Sequence, residues 1–142
     1  MAKKPIALTA SATLTQDNHA NAMIKLDAAA GLTITLPAAS GTGDEYFFFV
    51  GTTVTSNSKI IQVANATDIM SGGAIVMADG GSSVVGWETG ASDDTITMNG
   101  STTGGIKGDI VRLWDVASGI WHVEVVASAT GTEATPFSAA VS

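Results

Sequence analysis

There is no cysteine among the 142 residues. That excludes a disulfide framework and any thiolate site, and it fits assembly in a reducing cytoplasm. Charge is scarce, with Asp, Glu, Lys and Arg together making 13% of the chain. Cations are the scarcer kind, six against thirteen acids, for a net charge of −7. Lys3, Lys4, Lys25, Lys59, Lys107 and Arg112 are scattered and form no basic stripe. Nothing is therefore available to neutralise a run of phosphates, and nucleic acid is not an expected partner. No apolar run approaches the length of a membrane-spanning helix, so no membrane partner is expected either. Residues 1–12 faintly imitate a signal peptide, but Pro5, Thr9 and Ser11 interrupt the apolar stretch. The expectation is a soluble, unprocessed chain.

What is abundant is the material of strands and tight turns. Hydrophobic residues make up 45% of the chain and glycines number 16, alongside many Thr, Ser, Val and Ile. Alternation dominates. Leu32, Ile34 and Leu36 share one phase against Thr33 and Thr35, and Ile96 and Met98 repeat it between Thr95 and Thr97. Trp121, Val123 and Val125 alternate with His122 and Glu124. Further strands are expected at 8–14, 22–27, 46–50, 59–64, 74–78, 83–88 and 110–114, with turns at 72–73, 80–81, 99–100 and 117–119. The run 46–50 is apolar on both faces. It suits a central strand covered twice, or one with an outer face in a subunit interface.

Two segments echo each other. Thr33-Ile34-Thr35-Leu36 matches Thr95-Ile96-Thr97-Met98, Gly43-Asp44 matches Gly108-Asp109, and residues 63–67 match 126–130, at offsets of 62, 65 and 63. Each copy spells strand, glycine turn, strand, turn, strand. The expected fold is one all-β domain over residues 1–142, a jelly-roll-like β-sandwich built from two related β-meander units. An N-terminal arm or first strand (1–20) and a C-terminal arm (127–142) flank it. The second arm has no periodicity; such ends stay mobile unless held, and a neighbouring subunit is the natural holder.

No constellation of reactive residues stands out. His19 and His122 have no metal-ligand partner at usable spacing. The acidic pairs Asp44-Glu45 and Asp93-Asp94 are expected to be solvated turn residues rather than an acid–base pair or a calcium site. Ser40-Gly41-Thr42-Gly43 loosely imitates a phosphate loop but lacks the Gly-Lys-Ser/Thr ending and the helix. Asn65-Ala66-Thr67 and Asn99-Gly100-Ser101 fit the glycosylation sequon and are expected to be turns. Trp121 falls in the core phase. Trp114 is out of phase, hence exposed or at an interface, and Trp87 is left unassigned. No cofactor, metal, catalytic residue or small-molecule substrate is expected, and the chain is not expected to be an enzyme.

Several phrases carry a family likeness. Thr33-Ile34-Thr35-Leu36-Pro37-Ala38-Ala39-Ser40-Gly41, residues 50–61 from Val50-Gly51-Thr52-Thr53, residues 94–105 and the ending Glu133-Ala134-Thr135-Pro136-Phe137-Ser138 resemble small structural proteins of tailed bacteriophages. The likeness spans residues 30–142. It implies a decoration, or cement, protein of the head: a β-sandwich or jelly-roll homotrimer on the capsid exterior, gripping the major capsid protein. The strand-and-glycine-turn phrase also occurs in tail-fibre modules, so the alternative is a receptor-binding adhesin for a host surface glycan. Contacts are expected from both termini, at Pro5, Ile6 and Leu8 and at Thr135, Pro136 and Phe137, together with Trp114.

Overall fold

The computed structural model describes residues 5–142; Lys3 and Lys4, at the start of the expected N-terminal arm, lie outside the described residues. The first strands are β1 (Pro5–Leu8), β2 (Ala12–Thr13), β3 (Met23–Leu26), β4 (Ala30–Thr35), β5 (Glu45–Val50) and β6 (Ser56–Gln62). They are followed by β7 (Ile69–Met77), β8 (Val84–Glu88), β9 (Thr95–Met98), β10 (Ile110–Ala117), β11 (Ile120–Ser128) and β12 (Phe137–Ser138). One helical turn, α1 (Gln16–His19), precedes β3. The larger sheet runs β1-β3-β5-β10-β11-β7-β8 and the smaller β12-β9-β6-β4-β2. The chain is thus an all-β sandwich. Among the described residues, no helix is long and apolar enough to cross a membrane.

Alternation builds the core. In the larger sheet, Ile24, Phe48, Val111, Val125 and Ala74 lie in one cross-strand row and are all buried. Across the smaller sheet, Ala12, Ile34, Ile61, Ile96 and Phe137 form the facing row, and the last four are buried. Side chains from both rows merge into one hydrophobic cluster. Full burial of each large apolar side chain is worth roughly 1.5–3 kcal/mol of transfer free energy.

The internal repeat survives, but not as meanders. β4 and β9 occupy the smaller sheet and β5 and β10 the larger, as the repeat implies. The third strands part company, because β6 joins the smaller sheet and β11 the larger. In the first unit each strand crosses to the opposite sheet, so β4 and β6 end as parallel neighbours instead of a hairpin. Parallel pairs make up five of the ten pairings among the described residues.

Among the described residues, both expected arms are paired into the sandwich. The expected strand over 8–14 is two short strands: β1 pairs with β3 at one edge of the larger sheet, and β2 pairs with β4 at one edge of the smaller. Residues 127 and 128 complete β11. Beyond them the chain itself holds its end. Phe137 is buried opposite Ile96, and Pro136 offers its carbonyl to the Thr97 amide at 2.8 Å. Asp94 is buried and accepts from the Ala140 amide at 2.8 Å, the Val141 amide at 3.2 Å and the Thr95 hydroxyl at 2.7 Å. No neighbouring subunit is needed, and Asp94 is a clamp rather than a solvated turn residue. Asp94→Ala is expected to cost about 1–3 kcal/mol, the scale of leaving buried donors unmet. Carboxypeptidase should then remove the last four residues faster than from the parent chain; an unchanged rate would contradict the clamp.

Candidate functional site

The outer face of the larger sheet is the most distinctive surface of the molecule. Residues out of phase with the core point to it. One cross-strand row reads Ala7, Lys25, Phe49, Ile110, Val126, Ile75 and Gly86. The next reads Pro5, Met23, Phe47, Arg112, Glu124, Gly73 and Glu88. A third holds Glu45, Trp114, His122 and Ser71. A solvent-facing sheet surface is ordinarily polar, yet Ile75 is 52% exposed and Val126 40%. The Phe47 and Phe49 rings are only half-buried.

Local contacts order this face. The Arg112 guanidinium sits 5.3 Å from the centroid of the Phe47 ring, within cation–π range. Trp114 and His122 rings lie 5.6 Å apart at 37°. The His122 Nε2 is 3.4 Å from Glu124 Oε1, and Lys25 pairs with Asp27 at 3.1 Å. Between β11 and β8 the sheet surface sinks into an open groove of about 710 Å³. Gly73 and Gly86, having no side chains, leave the hollow; Ile75, Trp87, Glu88 and Glu124 are among its walls.

The expected contact residues fall in three places. Pro5, Ile6 and Leu8 form the β1 edge, with Pro5 exposed and Ile6 and Leu8 half-buried toward the core. Trp114 is half-buried on the outer face, as its phase implied. Thr135 is exposed on the smaller sheet's side of the chain, whereas Pro136 and Phe137 are buried in the chain's own fold and present no large apolar surface to a partner. The termini therefore do not make one surface. Trp121 is buried, edge-on to Tyr46 at 5.3 Å and 79°, and its indole N–H has no acceptor among the described residues.

The glycine loop at 40–43 does cradle an anion, but one of its own. Asp115, buried at the end of β10, accepts from the Gly41 amide at 2.6 Å, the Ser40 amide at 3.0 Å and the Thr42 hydroxyl at 3.0 Å. Burial pushes the Asp115 carboxyl up; the bonds from Gly41, Ser40 and Thr42 outweigh it and hold it below its ordinary value of 3.8. Nearby, the Asn21 amide and the Thr42 hydroxyl, with Gln16, hold Asp44 low as well. Asp109 is the counterpart of Asp44 in the repeat, and its environment is the reverse. It is buried, and burial raises its carboxyl despite bonds from the amides of Ile106 at 3.0 Å, Ser128 at 2.9 Å and Gly105 at 2.9 Å.

These directions set an acid response. A carboxyl held low in the fold stabilises it above the ordinary carboxylate range and loses that contribution as pH falls through the folded value. Asp115 and Asp44 therefore make the protein acid-sensitive below about pH 4, and Asp109 works in the opposite sense. Asp115→Ala should lower stability at pH 7 and flatten the fall between about pH 4 and pH 2. A variant with the parent's acid slope, measured by thermal melting across that range, would contradict the assignment.

The sequons are turns. Asn65 Oδ1 accepts from the Thr67 and Asp68 amides, and Asn99 Oδ1 from those of Ser101 and Thr103. Sequence reasoning missed Lys59, which is fully buried and donates to the carbonyls of Ala28 at 2.6 Å and Thr52 at 2.8 Å. The signal was present: Lys59 is in phase with Ile61 and Val63.

Among the described residues, no group of three or more His, Cys, Asp or Glu side chains is placed to hold a metal ion. No protein-family model matches the chain, and no curated protein or solved structure matches it.

Proposed function

We propose that this chain is a structural virion protein without enzymatic activity, a homotrimeric decoration protein that binds the outside of a phage capsid and stabilises the shell. The observation that carries the reading is the uncovered apolar outer face of the larger sheet, with Ile75, Val126, Phe47, Phe49 and Trp114 on it. Surfaces of this kind mark contacts with other proteins. Linked copies make such contacts effective, since a trimer engaging several capsid sites gains by effective concentration what one weak contact lacks. The phage-like phrases at 33–41 and 94–105 point the same way. Purified protein mixed with expanded phage heads should co-sediment at a fixed ratio and raise the temperature at which the heads open. Protein that stays in the supernatant at saturating concentration would overturn the reading.

A second reading has its own support. The groove walled by Glu88 and Glu124, with His122 on its lining, offers acceptors of the kind sugars use, and the Trp114 ring lies beside His122 on the same face. It fits a tail-fibre adhesin for a host surface glycan. Titrating tryptophan fluorescence with host polysaccharide should give a saturable change if that is the role, and a flat response argues against it.

A further inference from the structure

Asp or Asn precedes glycine twice in the sequence, at Asp79-Gly80 and at Asn99-Gly100. Such pairs rearrange without an enzyme. The glycine amide nitrogen attacks the side-chain Cγ and a succinimide ring closes. Asp loses water in that step and Asn loses ammonia. Water then reopens the ring at either carbonyl. Opening at the main-chain carbonyl leaves isoaspartate, with the chain running through Cβ and Cγ. Glycine favours the attack because no Cβ shields its amide. In a free peptide the Asn pair closes faster, since an ionised carboxylate is a poor electrophile.

The fold reverses that order. At Asn99 the reacting groups are all held. The Gly100 amide, which would attack, donates to the Gly104 carbonyl at 2.7 Å. Asn99 Oδ1 accepts from the amides of Ser101 at 2.9 Å and Thr103 at 3.2 Å, and its Nδ2 donates to the Thr102 hydroxyl at 2.9 Å. The Gly100 Cα is also walled in, because a Cβ there would collide with the Val54 carbonyl oxygen.

Asp79-Gly80 has the opposite surroundings. It lies in the loop joining β7 to β8. Asp79, Gly80 and Gly81 are all exposed, and a Cβ at either glycine would meet nothing within 4 Å. The Asp79 carboxylate has one tether, the Gly131 amide at 3.2 Å.

We infer that Asp79 is a site of spontaneous conversion to isoaspartate in the folded chain, and that the fold spares Asn99. Conversion adds one carbon to the backbone of the β7–β8 loop and shifts the carboxylate that holds Gly131. Loop length fixes hairpin register, so the exposed strand β8 is the element that responds.

The full-length Asp79→Asn variant places the same chemistry at both positions. It is incubated folded at pH 7, and the mass gain of deamidation is followed at each site by peptide mass spectrometry. Position 79 should deamidate about a hundredfold faster than Asn99, the scale of three main-chain hydrogen bonds to be broken at 99, at about a factor of five each. In urea the two rates should converge. Equal rates in the folded chain, or a slower one at 79, would overturn the inference. A difference that persists in urea would also overturn it, since its origin would then be the neighbouring sequence and not the fold. In the parent chain, isoaspartate read by an isoaspartyl methyltransferase should accumulate at 79 during storage; its formation in urea but not in the folded chain would contradict the open loop.

Discussion

Lys59→Ala is expected to lower the free energy of unfolding by about 3–5 kcal/mol, measured by urea denaturation at pH 7. The lysine ties together two loops at one end of the sandwich, through the Ala28 carbonyl after β3 and the Thr52 carbonyl after β5. Truncation removes both charged hydrogen bonds and opens a cavity in a fully buried site. The ammonium's desolvation is a cost of the native state, and its removal returns part of the loss. Lys59→Met, which fills the space without donating, isolates the hydrogen bonds and should cost less, about 1–3 kcal/mol. Burial lowers the Lys59 amine from its usual value, with a smaller opposing pull from Asp27. The folded chain therefore releases this proton before the unfolded chain does, and stability gains as pH rises toward 10.5. The gain is to be sought below pH 10, because Tyr46, pushed up to about 12 by burial and by Asp44 and Asp115, works against it beyond that. Both variants should lack the gain. Wild-type stability in Lys59→Ala would mean the amine carries no structural role.

Gly72→Ala should do comparable damage by a different route. β7 and β11 pair in parallel over nine residues, from Ile69 opposite Ile120 to Met77 opposite Ser128. Gly72 lies inside that ladder, and a Cβ there would collide with the Val123 carbonyl oxygen. The obstacle is backbone, so no rotamer relieves it. Either the ladder bends or its hydrogen bonds are lost, and a cost of about 3–5 kcal/mol is expected, at the diagnostic end of single substitutions. Gly86→Ala is the control: its nearest neighbour lies at ordinary van der Waals distance. It should fall within about 0.5 kcal/mol of the parent. Equal stability for the two alanine variants would contradict the close approach of β7 to β11.

Gly72 also marks where sequence reading stops. Gly72-Gly73 reads as a turn, and the strand is expected to begin at 74. In the fold β7 starts at Ile69 and runs through both glycines; β11 comes close at Gly72, and the Trp87 carbonyl of β8 comes close at Gly73. Period-2 alternation is a local signal, and it correctly separated Trp121 from Trp114 and found the 117–119 hairpin. Sheet membership is not local. Nothing in residues 56–62 distinguishes a strand that crosses to the smaller sheet from one that pairs next door, so the repeat looked like two meanders. The candidate surface was half legible. The apolar double face of 46–50 and the odd phase of Trp114 pointed outward, but the groove depends on β7 and β8 pairing so that Gly73 lies opposite Glu88 and Gly86 opposite Ile75. The tail misled because Phe137, one aromatic in a polar stretch, is placed by a two-residue pairing with β9 and by Asp94, 46 residues before Ala140.

A decoration protein of the proposed kind grips its shell as linked copies of one chain. Sedimentation equilibrium of the untagged protein at micromolar concentration tests that directly. The expected mass is that of three chains of 14.3 kDa each. A single-chain mass that holds as concentration rises would contradict it.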